Sequence, residues 1–375
     1  MDVLISGAGL AGTALAYWLR HHGFTPTVVE RAPRVRAGGG VAGLRGEALD
    51  VLDRMALLER IQQLNTRPGG AARADRDGSP HHLQILRGEL IGLLYEATRQ
   101  EVEHILGDSI ATVEQDADGV RVTFERGRPR RFALVAGADG LHSGIRSLVF
   151  GPREWFVPHL GIYTATFSLP LDLGLPAGRL PSMPGKAADI LSMRNNAEAH
   201  AVLHFTSGPL AYDRDDVAQH KRIVAGQFAG EGGPIPRLLE EMSRAEDFFF
   251  DANAQVEMCH WSSGRVVLLG DAGYCAAQTS GLGASQALIG AYILAGELAV
   301  AGGEHAAAFA AYEREMRGFV AEHQQIGRED ADRFFMGMPT QEAPDMIAAG
   351  TREMPRTHLV RLKDYAPSFA ARWPP

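Results

Sequence analysis

Residues 2–30 carry the feature that most limits what this chain can become. A short apolar strand, Asp2-Val3-Leu4-Ile5-Ser6, runs straight into Gly7-Ala8-Gly9-Leu10-Ala11-Gly12, and a helical stretch follows from Thr13 to His22. A second strand, Thr25-Pro26-Thr27-Val28-Val29-Glu30, then ends in an acid. Each piece has a task in a βαβ unit that holds a dinucleotide. Gly7 permits the tight turn, Gly9 lets a pyrophosphate approach the backbone, and Gly12 lets the helix pack on the strand, with Leu10 and Ala11 between them. The N–H groups and dipole of the helix start then meet the phosphate charge. Glu30 lies 18 residues beyond Gly12, near the spacing of about 20 at which a carboxylate accepts the hydrogen bonds of an adenosine ribose. Arg31 follows it. The alternative for the same residues is a glycine turn that serves helix packing alone.

Length and charge narrow the setting. At 375 residues, with domains of about 150 residues, the expectation is two domains or one domain carrying a large insertion. A hydrophobic share of 45% and a charged share of 22% are those of an ordinary globular chain. A net charge of −8 argues against nucleic acid as a partner, which calls for a basic face. With two cysteines there is no disulfide framework and no four-cysteine zinc site, no metal is expected, and a reducing cytoplasm is the natural location. The apolar run at 3–19 is preceded by Asp2 where a signal peptide needs a positive charge. The run at 281–303 contains Gln286 and Glu297, so it reads as a buried helix and no membrane partner is expected.

Two further segments repeat one pattern. Phe132-Ala133-Leu134-Val135-Ala136-Gly137-Ala138-Asp139-Gly140 is an apolar strand entering a D-G-x-x-S-x-x-R sequence that ends at Arg146. Val266-Val267-Leu268-Leu269-Gly270-Asp271 is another strand ending in Gly-Asp, and Gly281-Leu282-Gly283 then opens a long helix. Each places an aspartate at the carboxyl end of a strand, where an open α/β sheet binds its ligand. Two such aspartates suit a polyol. Ser143 does not lie in G-x-S-x-G, so a hydrolase elbow is not supported.

Together with Arg87-Gly88-Glu89-Leu90-Ile91-Gly92-Leu93-Leu94, these segments resemble the single-component (group A) FAD-dependent aromatic hydroxylases, and within that family the chain looks closest to tetracycline-inactivating and actinobacterial natural-product monooxygenases. The resemblance spans nearly the whole chain and implies an α/β fold: a Rossmann-like FAD-binding domain of the PHBH-like type, an inserted antiparallel-sheet substrate domain, and C-terminal helices. It implies non-covalent FAD, transient NADPH or NADH, and hydroxylation of a bulky aromatic or enolic, polyketide-like substrate through a flavin C4a-hydroperoxide. Asp271 would bond the ribityl chain, Arg87 would reach the sugar and pyrophosphate, and Asp139 would steady the pyrophosphate side. Arg45 matches an arginine that the family keeps near the flavin or the reductant. The N-terminus of the helix at Gly281 would stabilise the anion of reduced flavin. A monomer or homodimer is expected.

The chain departs from the family pattern at Gln278, where a proline is expected, and at Leu282, where a glutamine is expected. The loss of a fixed φ at 278 predicts a looser loop beside the flavin, with Tyr274 as a wall residue. These departures leave other chemistry open: a dehydrogenase or oxidase, a non-redox cyclase, or an impaired flavin-binding accessory protein. Alternating segments such as 161–167 and 199–205 predict antiparallel strands. The expected division is 1–67, 84–155 and 262–338 for FAD, 68–83 and 156–261 for substrate, and 339–375 as a C-terminal helical segment with helices near 342–350 and 356–364. His200 and His204 share a face and read as sheet residues before substrate contacts. The pairs His21-His22 and His81-His82 read as solvated.

Overall fold

The computed structural model describes residues 1–35, 40–66, 82–170, 173–175, 178–180, 183–193, 198–335 and 360–365. Strand β1 (Asp2–Ser6) pairs in parallel with β2 (Thr25–Glu30), and α1 (Leu10–His21) crosses between them. The chain then forms β3 (Val41–Arg45), α2 (Glu47–Arg54), α3 (Leu58–Gln63), β4 (His82–Leu86) antiparallel to β3, α4 (Arg87–Thr98), and β5 (Glu103–Leu106) parallel to β2. A small antiparallel sheet of β6 (Ile110–Asp116), β7 (Gly119–Phe124) and β8 (Arg130–Phe132) precedes β9 (Leu134–Gly137), which lies against β1, and α5 (Gly144–Val149).

A second large sheet follows, made of β10 (His159–Leu169), β11 (Gly178–Arg179), β12 (Lys186–Met193), β13 (Glu198–Thr206) and β14 (Phe249–Ala254), with α6 (Val217–Gln227) and α7 (Ile235–Arg244) inserted before its last strand. The chain returns through β15 (Ser262–Ser263) and β16 (Val266–Leu268) to α8 (Asp271–Tyr274), α9 (Gly283–Val300) and α10 (His305–Phe335). The first sheet has the order β15-β16-β9-β1-β2-β5, parallel except for β15, and the second the order β11-β12-β13-β10-β14.

The two sheets differ because their surroundings differ. Parallel strands covered on both faces read as unbroken apolar runs, and Val3, Leu4, Ile5, Leu134, Val135, Val266, Val267 and Leu268 are all buried in one core. The second sheet is antiparallel and alternates. Tyr163, Ala165 and Phe167 of β10 and Ala201, Leu203 and Phe205 of β13 pack with Val224, Phe228, Leu238 and Met242 of the α6–α7 layer. Their alternates, Thr164, Thr166, Ser168, His200 and His204, therefore lie on the opposite face.

Helix α9 is long and apolar enough to cross a bilayer by length and composition, yet most of it is buried inside the fold. It starts at Gly283 rather than Gly281, which takes a left-handed φ of 64°. Residues 360–365 run without helix across the far end of α9, where the sequence predicts a helix over 356–364; residues 342–350 lie outside the described residues. A Cβ at Gly296 would lie 2.2 Å from the ring of Tyr365, so the glycine admits that ring. The Tyr365 hydroxyl (2.7 Å) and the Lys363 ammonium (2.6 Å) both donate to the buried Glu297 carboxylate. His22 is buried, not solvated: the chain reverses at Gly23, with Phe24 N bonding Leu19 O, and folds the ring beside Trp18.

Candidate functional site

The carboxyl ends of β1, β9 and β16 are neighbours, so the turns after them converge. A Cβ at Gly7, whose φ is +102°, would meet Ala138 O at 2.6 Å, and one at Gly270 would meet the Ala11 methyl at 3.0 Å. A Cβ at Gly12 would lie 1.9 Å from Gly7 O, so α1 packs onto the turn only through a glycine. Gly9 differs from both: nothing lies within 4 Å of its added Cβ, which leaves a bare stretch of backbone at the helix start. Leu10 and Ala11 begin α1 and are buried.

Glu30 ends β2 beside this turn. One carboxylate oxygen accepts from Ala8 N and the other from Ala32 N, both at 2.9 Å. Each oxygen keeps a further lone pair, so the acid braces the glycine turn and can still take sugar hydroxyls. Arg31 beside it is exposed. Asp139 has divided duties. Its Oδ2 accepts from Gly144 N (2.8 Å) and Ile145 N (3.1 Å), capping α5, while Oδ1 is buried with no partner among the described residues. Burial pushes this carboxyl above its ordinary range, opposed by the Ser143 hydroxyl and backbone amides. The helix-cap reading of Asp139 and a ligand-facing role thus fall on different oxygens.

Asp271 opens α8 just after Gly270, and a Cβ at Gly283 would lie 3.6 Å from its Oδ1. The Asp271 carboxylate and the first turn of α9 therefore form one corner. No side chain caps α9 and no acid lies in its first turn, so its leading N–H groups keep the positive end of the dipole uncompensated. Leu282 at the N-cap is buried. Strand β3 closes the corner: Gly43 approaches Gly281 O, and Arg45 N donates to Ser285 Oγ at 3.1 Å. Arg45 also bears on His323 of α10, whose ring is held at about 4 by burial and then by that guanidinium. Arg87 is exposed at the start of α4, where its backbone N bonds Gly40 O.

The loop at 276–282 is fastened in ways no motif announces. Thr279 N donates to Asn253 Oδ1 (3.2 Å), Asn253 Nδ2 donates to Thr279 Oγ1 (3.1 Å), and Thr279 Oγ1 donates to Gly327 O (2.7 Å). Gln255 Nε2 donates to Ala276 O and to Gln324 O, and Gln324 Nε2 donates to Val256 O and Cys275 O. Asn253 of β14, Gln255 just after it and Gln324 of α10 thus tie the loop, which lacks a proline at 278, to its neighbours. Ala277 has φ +75° and ψ 154°, a conformation that is nearly glycine-only and costs on the order of 1–3 kcal/mol. Gln278 is exposed. Tyr274 is not a wall residue: it closes α8, is fully buried, and its hydroxyl meets that of Tyr312 at 2.8 Å beneath Trp261. The cause is α10, which brings Tyr312 under the strand.

The face of the second sheet turned away from α6 and α7 joins this corner. Asn253 belongs to β14, and a Cβ at Gly40 would face Thr166 Oγ1 at 3.8 Å. Thr164 Oγ1 bonds His204 Nδ1 at 2.9 Å, and burial lowers that histidine to about 4, so it stays neutral. Asp189 is bound by Arg179 through two contacts of 2.9 Å. Asp251 faces the D-G loop through His142. His142, Asp251, Asn253 and Gln255 carry no spacing signal; only the register of β14 brings them here.

A glycine cradle open at Gly9, an orphaned buried acceptor at Asp139 and an uncapped helix start beside Asp271 fit an anionic dinucleotide with a polyol chain. Residues 1–325 match the family of FAD-binding domains, and the chain belongs to it. An uncharacterized protein of Mycobacterium tuberculosis is 46% identical over 97% of this chain and 99% of its own. A protein of Legionella longbeachae named flavin-dependent monooxygenase is 37% identical over 87% of this chain and 88% of its own. Among solved structures, tetracycline destructase Tet(51) aligns with a TM-score of 0.81 and 34% identity, covering 92% of this chain and 94% of that one.

Proposed function

We propose that this protein is a FAD-dependent monooxygenase that consumes NADPH or NADH and dioxygen to hydroxylate a bulky aromatic or enolic, polyketide-like molecule. The observation that carries the reading is the corner formed by Asp271, the uncapped start of α9 and the loop tied to the second sheet through Thr279 and Asn253. The names of the relatives support it at the level of the reaction. FAD supplies the redox centre that activates dioxygen. Gly7, Gly9, Leu10, Ala11 and Gly12 hold the pyrophosphate with the dipole of α1; Glu30 and Arg31 take the adenosine ribose; Arg87 and Asp139 serve the pyrophosphate side.

Asp271 with Gly270 orients the ribityl chain, and Gly281, Leu282 and Gly283 present the N–H groups that favour negative charge at the redox centre. Arg45 adds positive charge behind β3. The face of the second sheet turned away from α6 and α7 excludes water and orients the substrate. In this reading 1–67, 84–155 and 262–338 hold FAD and 156–261 binds substrate; of the further segment expected at 68–83, residues 68–81 lie outside the described residues.

Asp271→Ala is expected to fold yet purify with less than about a tenth of the wild-type flavin. Anaerobic stopped-flow absorbance with NADPH, with and without tetracycline or polyphenols, followed by an oxygen pulse and product mass analysis, tests the reaction. One oxygen atom gained by a compound that also speeds flavin reduction is the expected result. Flavin that reduces without product oxygenation under every compound overturns the monooxygenase assignment.

A further inference from the structure

The contact between His142 and Asp251 joins the two large sheets at a point that motif reasoning leaves unused. His142 lies in the loop between Asp139 and α5, and Asp251 on the face of β14 turned away from α6 and α7, in register with Thr164. His142 Nε2 donates to both Asp251 oxygens at 3.0 Å. One residue earlier, Leu141 O accepts from Arg146 Nη2 at 2.6 Å, and the other end of the same guanidinium donates to Ala272 O at 2.7 Å. Arg146 is fully buried, and its own backbone N is capped by Ser143 Oγ at 2.9 Å. Asp139, the loop at 140–143 and the backbone beside Asp271 are therefore one knot, and Asp251 grips it from the other sheet.

We propose that the His142–Asp251 pair is a strut through which the second sheet holds the FAD-binding turns closed, which makes both residues positioning residues for FAD retention. The geometry favours this over a surface ion pair. Both side chains are largely covered, at 23% and 15% exposure, so solvent screens the contact little. With Nε2 donating to the carboxylate, Nδ1 is left buried and without a partner among the described residues; a polar pair with an orphaned atom is a poor filler for a merely apolar gap. The contacts Asp251–His142, Leu141–Arg146 and Arg146–Ala272, with the peptide bond between Leu141 and His142, connect β14 to the backbone beside Asp271.

The strut rests on the reading of these turns as the FAD site, and one experiment separates the two. Each protein is first saturated with added FAD, and FAD release after dilution is followed by the fluorescence of freed FAD in wild type, Asp251→Ala, His142→Ala, the double variant, Asp251→Asn and Asp271→Ala. Each alanine variant is expected to release FAD about tenfold faster, with the double variant no faster than either single one, because both remove the same contact. Asp251→Asn keeps an oxygen for Nε2–H and is expected within about twofold of wild type. Wild-type release in both alanine variants, additive effects in the double, or a lower melting point of the FAD-free protein with release unchanged each overturns the strut. Fast release from Asp271→Ala beside wild-type release from Asp251→Ala overturns the strut alone; wild-type release from Asp271→Ala overturns the site reading. If Asp251→Ala does not fold, His142→Ala carries the same prediction.

Discussion

Gly9 and Gly12 stand one helical turn apart, yet a methyl group does opposite things at the two positions. At Gly12 it would be driven into Gly7 O, at 1.9 Å; at Gly9, with φ −79°, it meets open space. Gly12→Ala is expected to lower the stability of the FAD-free protein by several kcal/mol, on the order of an overpacked core site, read by chemical denaturation. Gly9→Ala is expected to leave that stability within about 0.5 kcal/mol and to weaken FAD binding at least tenfold by titration, since the methyl stands where phosphate approaches. The packing role of Gly12 was legible in the sequence because a turn is a local object. The roles of Tyr274 and His22 were not: one depends on Tyr312 arriving from α10 and the other on the chain reversal at Gly23.

At the scale of elements, the strands after which the site turns lie, and the opening of α9, follow from apolar runs punctuated by Gly and Asp. The fastening of the 276–282 loop by Asn253, Gln255 and Gln324 does not, because each partner lies on a different element and hydrogen-bonds backbone that any sequence could supply. Helix α9 shows the same limit. Glu297 in its apolar run signals a buried soluble helix, but the sequence does not show that Lys363 and Tyr365 return to meet that carboxylate. Lys363→Met is expected to cost about 2 kcal/mol in urea unfolding by leaving a buried acceptor short of its cation. Glu297→Gln combined with Lys363→Met is expected to restore part of that loss.

For the whole molecule, the α/β class with an inserted antiparallel sheet was readable from periodicity and from the motif order. The mutual placement of the sheets was not, since no residue type encodes it. Burial has a titration consequence. His22, through burial and then neighbouring His21, His204, through burial, and His323, through burial and then Arg45, are all held at about 4 against an ordinary 6.5. The unfolded chain therefore binds more protons than the folded one between these values. Stability is expected to be full above about 6.5 and to fall as pH drops toward about 4, by up to roughly 4 kcal/mol per pH unit from the three sites together. Unfolding midpoints measured across pH 4–7 check this, and His323→Leu is expected to flatten the slope.

The order of strands in the first sheet has a consequence for biosynthesis. Strand β9 lies between β1 and β16, so the three neighbours at its centre come from residues 2–6, 134–137 and 266–268. The second sheet, by contrast, closes within 159–254. A chain emerging from the ribosome can complete the inserted sheet while the sheet it interrupts still lacks β16, and domains fold as units during synthesis at about 5–20 residues per second. With the start of α9 as part of the proposed FAD site, FAD loading is expected to wait until α9 has left the exit tunnel. Nascent chains long enough for residue 254 to have cleared the exit tunnel while β16 is still inside it are therefore expected to show a protease-resistant core around 159–254 and no bound flavin.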